Sequence, residues 1–225
     1  MQPRLIATAM PARPEAAVLV LHGGGSRRGN VMVSPAQLSV LRMVPIARRV
    51  ARAGGGRLAV FRLLNSHRGW ATAHTPVDDA RWALDQLRER FGRDIPTCLI
   101  GHSLGGRAAL LTGAAPGVRS VVALAPFVYP EDSNTDLTGR QVLVVDGSQD
   151  RIAKPELSAA IVRALERTAD VGHVRVVGGK HSMLRHHRVF DGLAADFATA
   201  TLLGSSSNPV VASVLGGESW VELRP

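Results

Sequence analysis

Thr97-Cys98-Leu99-Ile100-Gly101-His102-Ser103-Leu104-Gly105-Gly106 is the stretch that decides how this chain folds. Its first four residues read as a buried strand, and residues 104–113 read as a helix. Between them Gly101-x-Ser103-x-Gly105 makes a turn sharp enough to hold the serine in a strained conformation, with Oγ projecting above the sheet. Glycine is needed at 101 and 105 because a Cβ there would collide where strand and helix approach. Leu104 opens the helix, so its N–H lies at the positive end of the dipole and is placed to stabilise an oxyanion. Ser103 is therefore the candidate nucleophile.

A serine hydroxyl is a poor nucleophile at neutral pH and needs an adjacent base, itself oriented by an acid. Working C-terminally, Val142-Leu143-Val144-Val145-Asp146-Gly147-Ser148-Gln149-Asp150 supplies a strand and a loop with two acids. Asp150, deeper in the loop, is preferred as the acid. Asp146 is assigned to the strand end or to the turn with Gly147. The last strand, residues 173–177, leads into Gly178-Gly179-Lys180-His181-Ser182. From that loop His181 can reach the serine with one ring nitrogen and Asp150 with the other. His173, His186 and His187 are expected to face solvent.

Working N-terminally, residues 16–21 read as a buried strand ending in His22-Gly23-Gly24-Gly25. Glycines there let backbone N–H groups turn towards a substrate oxygen, and Gly24, with Gly25 next, is the expected partner of Leu104 in an oxyanion hole. A phosphate-binding reading is weaker, because no Gly-Lys-Ser/Thr element follows.

Short apolar runs alternate with amphipathic stretches along the whole chain. This predicts an α/β fold, a mostly parallel central sheet with helices on both faces. Further strands are expected at 58–63 and 120–125. Helices are expected at 35–53, with Leu38, Leu41, Ile46 and Val50 as the buried stripe, and at 76–91, 155–168 and 188–202. Thr75 is placed to cap the second of these, Pro76 suits its first turn, and Gly92 its stop. Residues 1–203 are read as one α/β domain and 204–225 as a tail without assigned structure. The connection 126–140 is short and polar, which predicts little or no lid over the site.

Composition narrows the function classes. The chain has 225 residues, enough for one domain, and aromatic residues make up only 4%. Its core must rest on Val, Leu, Ile and Ala, a mixture suited to buried parallel strands. The single cysteine, Cys98, excludes an internal disulfide and fits a reducing, cytoplasmic setting. Every apolar stretch falls short of the roughly 20 residues of a spanning helix, so no membrane partner is expected. The formal charge of +9 comes almost wholly from scattered arginines, with Lys154 and Lys180 the only lysines. Without basic clusters or interleaved aromatics, it does not predict a nucleic-acid partner.

The elbow, the His22-Gly23-Gly24-Gly25 segment and the Asp150 and His181 loops together resemble the α/β-hydrolase superfamily, over roughly residues 16–202. The likeness is to small bacterial serine esterases and the dienelactone-hydrolase group. Arg68-Gly69-Trp70, Asp78-Asp79-Ala80-Arg81 and His181-Ser182-Met183-Leu184-Arg185 reinforce it. Dienelactone hydrolases proper use a cysteine nucleophile, whereas this elbow carries serine. The resemblance therefore implies hydrolysis of small-molecule carboxylic esters by acyl transfer, without metal or organic cofactor. A thioesterase, a lactonase or a non-catalytic binding protein on the same fold are the alternatives. Trp70 and Phe127, each after a strand, are candidates to line the substrate pocket.

Overall fold

The computed structural model describes residues 2–24, 32–70 and 74–225. In chain order these form β1 (Arg4–Ala9), β2 (Ala16–Leu21), α1 (Leu38–Ala53), β3 (Leu58–Leu64), α2 (Pro76–Phe91), β4 (Thr97–His102) and α3 (Leu104–Thr112). There follow β5 (Val118–Leu124), β6 (Gln141–Gly147), α4 (Pro155–Leu165), β7 (Asp170–Val176), α5 (His187–Leu203), α6 (Pro209–Leu215) and β8 (Trp220–Leu223). One sheet in the order β1-β3-β2-β4-β5-β6-β7-β8 joins all the strands. Only β1, paired with β3, runs antiparallel.

Strict alternation along the strands builds two cores, one on each face of the sheet. In β2, Ala16, Val18 and Val20 face one way, towards Met43 and Ile46 of α1 and Phe190 and Phe197 of α5. Ala17, Leu19 and Leu21 face the other, towards Ala80 and Ala83 of α2 and Ala108 of α3. At the start of α2 the Asp78 carboxylate accepts from the Thr75 N–H and hydroxyl, and Gly92 ends that helix in the left-handed conformation. Among the described residues no helix is long and apolar enough to cross a membrane.

Three expectations change. Helix α1 begins at Leu38, and its buried apolar stripe is Val40, Met43, Ile46, Ala47 and Val50, which keeps the expected Ile46 and Val50 at the i, i+3, i+6, i+7, i+10 spacing of one helical face. Leu38 and Leu41 fall outside that stripe and are 82% and 47% exposed. Residues 204–225 are structured. Val214 of α6 fills the space that a Cβ on Gly172 of β7 would need, and β8 pairs with β7 in parallel. His173 does not face solvent, since it is 2% exposed beneath the edge of the Trp220 ring, at 4.7 Å between centroids.

The sheet topology sets the site. From β2 the chain steps outward to β3 and then returns to β4 on the other side, so the ends of β2 and β4 diverge at a switch point, where such sheets open a crevice. The connection between β5 and β6 holds only a 3-10 turn at Pro130–Asn134, and no lid helix spans it.

Candidate active site

Ser103 sits between β4 and α3 with φ 57° and ψ −123°, a conformation that L residues rarely adopt. Neighbouring backbone enforces it. The Ser103 N–H donates to the Leu124 carbonyl at 3.0 Å, and its own carbonyl accepts from Arg107 at 3.1 Å and Phe127 at 3.1 Å. A Cβ on Gly101 would overlap the Gly105 backbone, and one on Gly105 would overlap the carbonyls of Leu21 and His22. The elbow thus requires both glycines, as the sequence implied.

The Ser103 hydroxyl lies 2.9 Å from His181 Nε2, and His181 Nδ1 lies 2.8 Å from Asp150 Oδ2. A carboxylate only accepts, so Nδ1 carries the proton and leaves Nε2 free to take one from the serine. Asp150 Oδ1 accepts from the N–H groups of Ile152 at 2.8 Å and Ala153 at 2.9 Å, which fixes the carboxylate plane. Asp146 is engaged elsewhere. It takes His173 Nε2 at 2.7 Å and Arg175 Nε at 2.8 Å, tying β6 to β7 upstream of both loops. Burial pushes the Asp146 carboxyl up, but these hydrogen bonds outweigh it and hold the pKa below the ordinary value.

Two donors grip the His181 loop from outside. His102 Nε2 meets the His181 carbonyl at 2.8 Å, and Arg42 Nε donates to the Ser182 carbonyl at 3.2 Å. Arg42 is anchored by Asp191 of α5 at 2.7 Å, with both side chains buried. Within the loop, buried Met183 holds φ 56°, so the turn is strained and needs such support. Burial is the main reason that the His102 pKa falls to about 3, so the ring is neutral and its Nε2–H is a donor. The sequence had offered no role for His102 or Arg42.

Opposite the serine, the Asn65 N–H donates to His22 Nε2 at 3.1 Å, which leaves the His22 proton on Nδ1 to donate to the Gly23 carbonyl at 2.6 Å. Burial depresses the pKa of this ring as well. Because the peptide is trans, fixing the Gly23 carbonyl turns the Gly24 N–H to the other side of the same plane. Gly23 packs against Ser103, and a Cβ on it would lie 3.1 Å from the serine Cβ. Gly24 and Leu104 line the same cavity as Ser103, whereas Gly25 lies outside the described residues. That cavity holds about 730 Å³ and is walled by Leu38, Leu41, Phe127, Ile152 and Leu184.

Phe127 lines this cavity. Trp70 does not line it: the Arg107 guanidinium lies 4.3 Å from the centre of its ring and 4.5 Å from that of Tyr129. Arg107 also grips Asp132 through two hydrogen bonds, so Trp70 braces the loops after β3 and β5. A lone tryptophan after a strand carries no signal that distinguishes these two placements.

No family model matches this chain, and no curated protein matches it in sequence. Solved structures do match in fold. Est1E from Butyrivibrio proteoclasticus, solved with ferulic acid, superposes with a TM-score of 0.70 at 14% identity over 89% of this chain and 96% of that one. An α/β serine hydrolase without a lid from Xanthomonas campestris gives 0.66 at 18% identity, over 88% and 94% of the two chains. An esterase from Pyrococcus furiosus gives 0.66 at 13%, over 89% and 93%. The chain has the α/β-hydrolase fold, in a form without a lid domain between β5 and β6.

Proposed function

We propose that this protein is a serine hydrolase that cleaves small-molecule carboxylic esters, with Ser103 as nucleophile, His181 as base and Asp150 as acid. The observation that carries the reading is the unbroken hydrogen-bond chain Ser103–His181–Asp150 on a strained elbow, opening onto an apolar cavity. Ser103 attacks the ester carbonyl as His181 takes its proton, and the N–H groups of Leu104 and Gly24 hold the oxyanion. His181 then protonates the departing alcohol, and water releases the acid by the same route. None of these steps requires a metal or an organic cofactor.

Serine in place of cysteine at the elbow favours ordinary ester chemistry over that of dienelactone hydrolases, although the elbow and loop motifs resemble that group. A cytoplasmic setting fits the single, fully buried thiol of Cys98. The direct test is labelling with a fluorophosphonate probe, in the wild type and in Ser103→Ala. Labelling of the wild type alone supports the reading. A folded wild type that resists the probe contradicts it and favours a binding protein on the same fold.

A further inference from the structure

The cavity above Ser103 adjoins a second one of opposite character. The first holds about 730 Å³, and three of its wall residues, Leu38, Ile152 and Leu184, are 82%, 59% and 64% exposed. Large aliphatic side chains gathered at one opening and left in water mark a surface that gains by being covered. The second cavity, about 710 Å³, is lined by Ser148, Gln149, Arg151, Glu156 and Lys180. Ile152, His181 and Ser182 line both, so the two meet at the histidine. Arg151 and Lys180 are exposed there, against the one exposed carboxylate of Glu156, because Asp150 is buried and turned to His181.

We infer that the ester cleaved at Ser103 is amphipathic and anionic, with an apolar acyl chain in the first cavity and an alcohol bearing a carboxylate or phosphate in the second. This inference deepens the esterase reading and rests on it. The assignment of the two arms follows from the chemistry. The acyl carbon must meet Ser103 Oγ, with its oxygen near the Leu104 and Gly24 N–H groups, and all three residues line the apolar cavity. The Oγ–acyl bond forms as the carbonyl π bond opens to the oxyanion; on its collapse the acyl–alkoxy bond breaks, and the proton taken from Oγ passes from His181 Nε2 to the departing oxygen. The leaving alcohol therefore lies on the His181 side, where the polar cavity begins. Arg151 and Lys180 meet its anion, and the net charge of +9 raises the local concentration of such substrates.

The test compares kcat/KM across two ester series, each value corrected for the ester's rate of alkaline hydrolysis. In the first, acetyl, butanoyl and hexanoyl esters of 4-hydroxybutyrate vary the acyl chain. In the second, hexanoyl esters of 1-butanol, 4-hydroxybutyrate, 4-hydroxybutyl phosphate and choline vary the alcohol. Each added acyl methylene is expected to raise kcat/KM by up to about fourfold, the equivalent of one buried CH₂. Leu38→Ser/Leu184→Ser should flatten that dependence. At least one anionic alcohol should exceed butanol by about fivefold, with choline lowest, and Arg151→Gln/Lys180→Gln should bring the anionic-to-neutral ratio towards one. Which of the carboxylate and phosphate esters leads identifies the anion. Equal rates for all acyl lengths, or for all alcohols, would overturn the inference. Fluorophosphonate labelling separates the two levels: a labelled protein indifferent to acyl and alcohol loses only this inference, whereas an unlabelled protein inert on every ester loses the esterase reading with it.

Discussion

His102 donates its Nε2–H to the backbone carbonyl of His181 at 2.8 Å, and the two rings stand 5.0 Å apart with their planes inclined at 38°. The residue before Ser103 thus holds the main chain of the residue proposed to activate it. Arg42 holds the next carbonyl, Ser182, from α1. Two successive carbonyls are pinned by side chains from different elements, on a loop whose Met183 would otherwise relax from positive φ.

Loosening the His181 ring by a fraction of an ångström should therefore cost turnover without much changing ground-state binding. For His102→Ala, kcat on a short p-nitrophenyl ester is expected to fall by about 10- to 100-fold, with KM within about twofold. His102→Gln retains a donor and should recover part of the loss. A fall in kcat/KM that comes entirely from KM, with no rescue by glutamine, would remove His102 from the positioning of the base.

The same burial makes His102 a source of acid sensitivity. Its pKa lies near 3 in the folded protein and near the ordinary 6.5 when unfolded, so the unfolded chain binds the extra proton between those values. Stability from this group is complete above pH 6.5 and is lost as the pH falls towards 3, with a slope approaching about 1.4 kcal/mol per pH unit. His22, also buried and depressed, adds in the same direction. Urea unfolding of the wild type between pH 7 and 5 should show this slope, and His102→Gln should show a shallower one. Equal slopes would mean that the ring already titrates normally in the folded state.

Two aspartates four residues apart should fail in different ways. Asp150→Asn keeps one oxygen, which the N–H groups of Ile152 and Ala153 claim, and presents an amide N–H₂ to His181 Nδ1. The imidazole must then take the other tautomer and lose its basic Nε2, with kcat falling by about 10⁴. Asp146→Asn instead weakens the tie to buried His173 and half-buried Arg175, an effect of about 1–3 kcal/mol on stability. Phosphonylation rates and thermal unfolding of both variants separate the cases. Equal catalytic losses in the two folded variants would undo the assignment of Asp150.

Much of this was legible before the structure, for a physical reason. Strands β2, β4 and β6 carry apolar runs buried on both faces, and the elbow glycines are required by backbone contact rather than by preference. Edge strands lack that signal. In β1 and β8 half-buried and exposed positions mix over four to six residues, and neither strand is read from the sequence. Periodicity also reports that Leu38 and Leu41 are apolar without saying whether they face core or cavity. The grip of His102 on His181 spans 79 residues, and no local pattern encodes it.

The glycines beside Ser103, the proposed nucleophile, offer the last prediction, because they differ in what a methyl group would meet. Among the described residues, a Cβ at Gly24 would meet only the Gly69 backbone nitrogen, at 3.5 Å, an ordinary contact. At Gly23 it would lie 3.1 Å from both the Ser103 Cβ and the His102 carbonyl, where neither a strained elbow nor the backbone beside it can easily give way. Gly24→Ala should fold and retain kcat within a few-fold. Gly23→Ala should fold as well but displace the serine by a few tenths of an ångström and lose about 10-fold or more in kcat, because attack geometry is steeply distance-dependent. A Gly24→Ala variant as damaged as Gly23→Ala would show that the oxyanion loop tolerates no change of shape, and that His22 fixes it more tightly than its two hydrogen bonds imply.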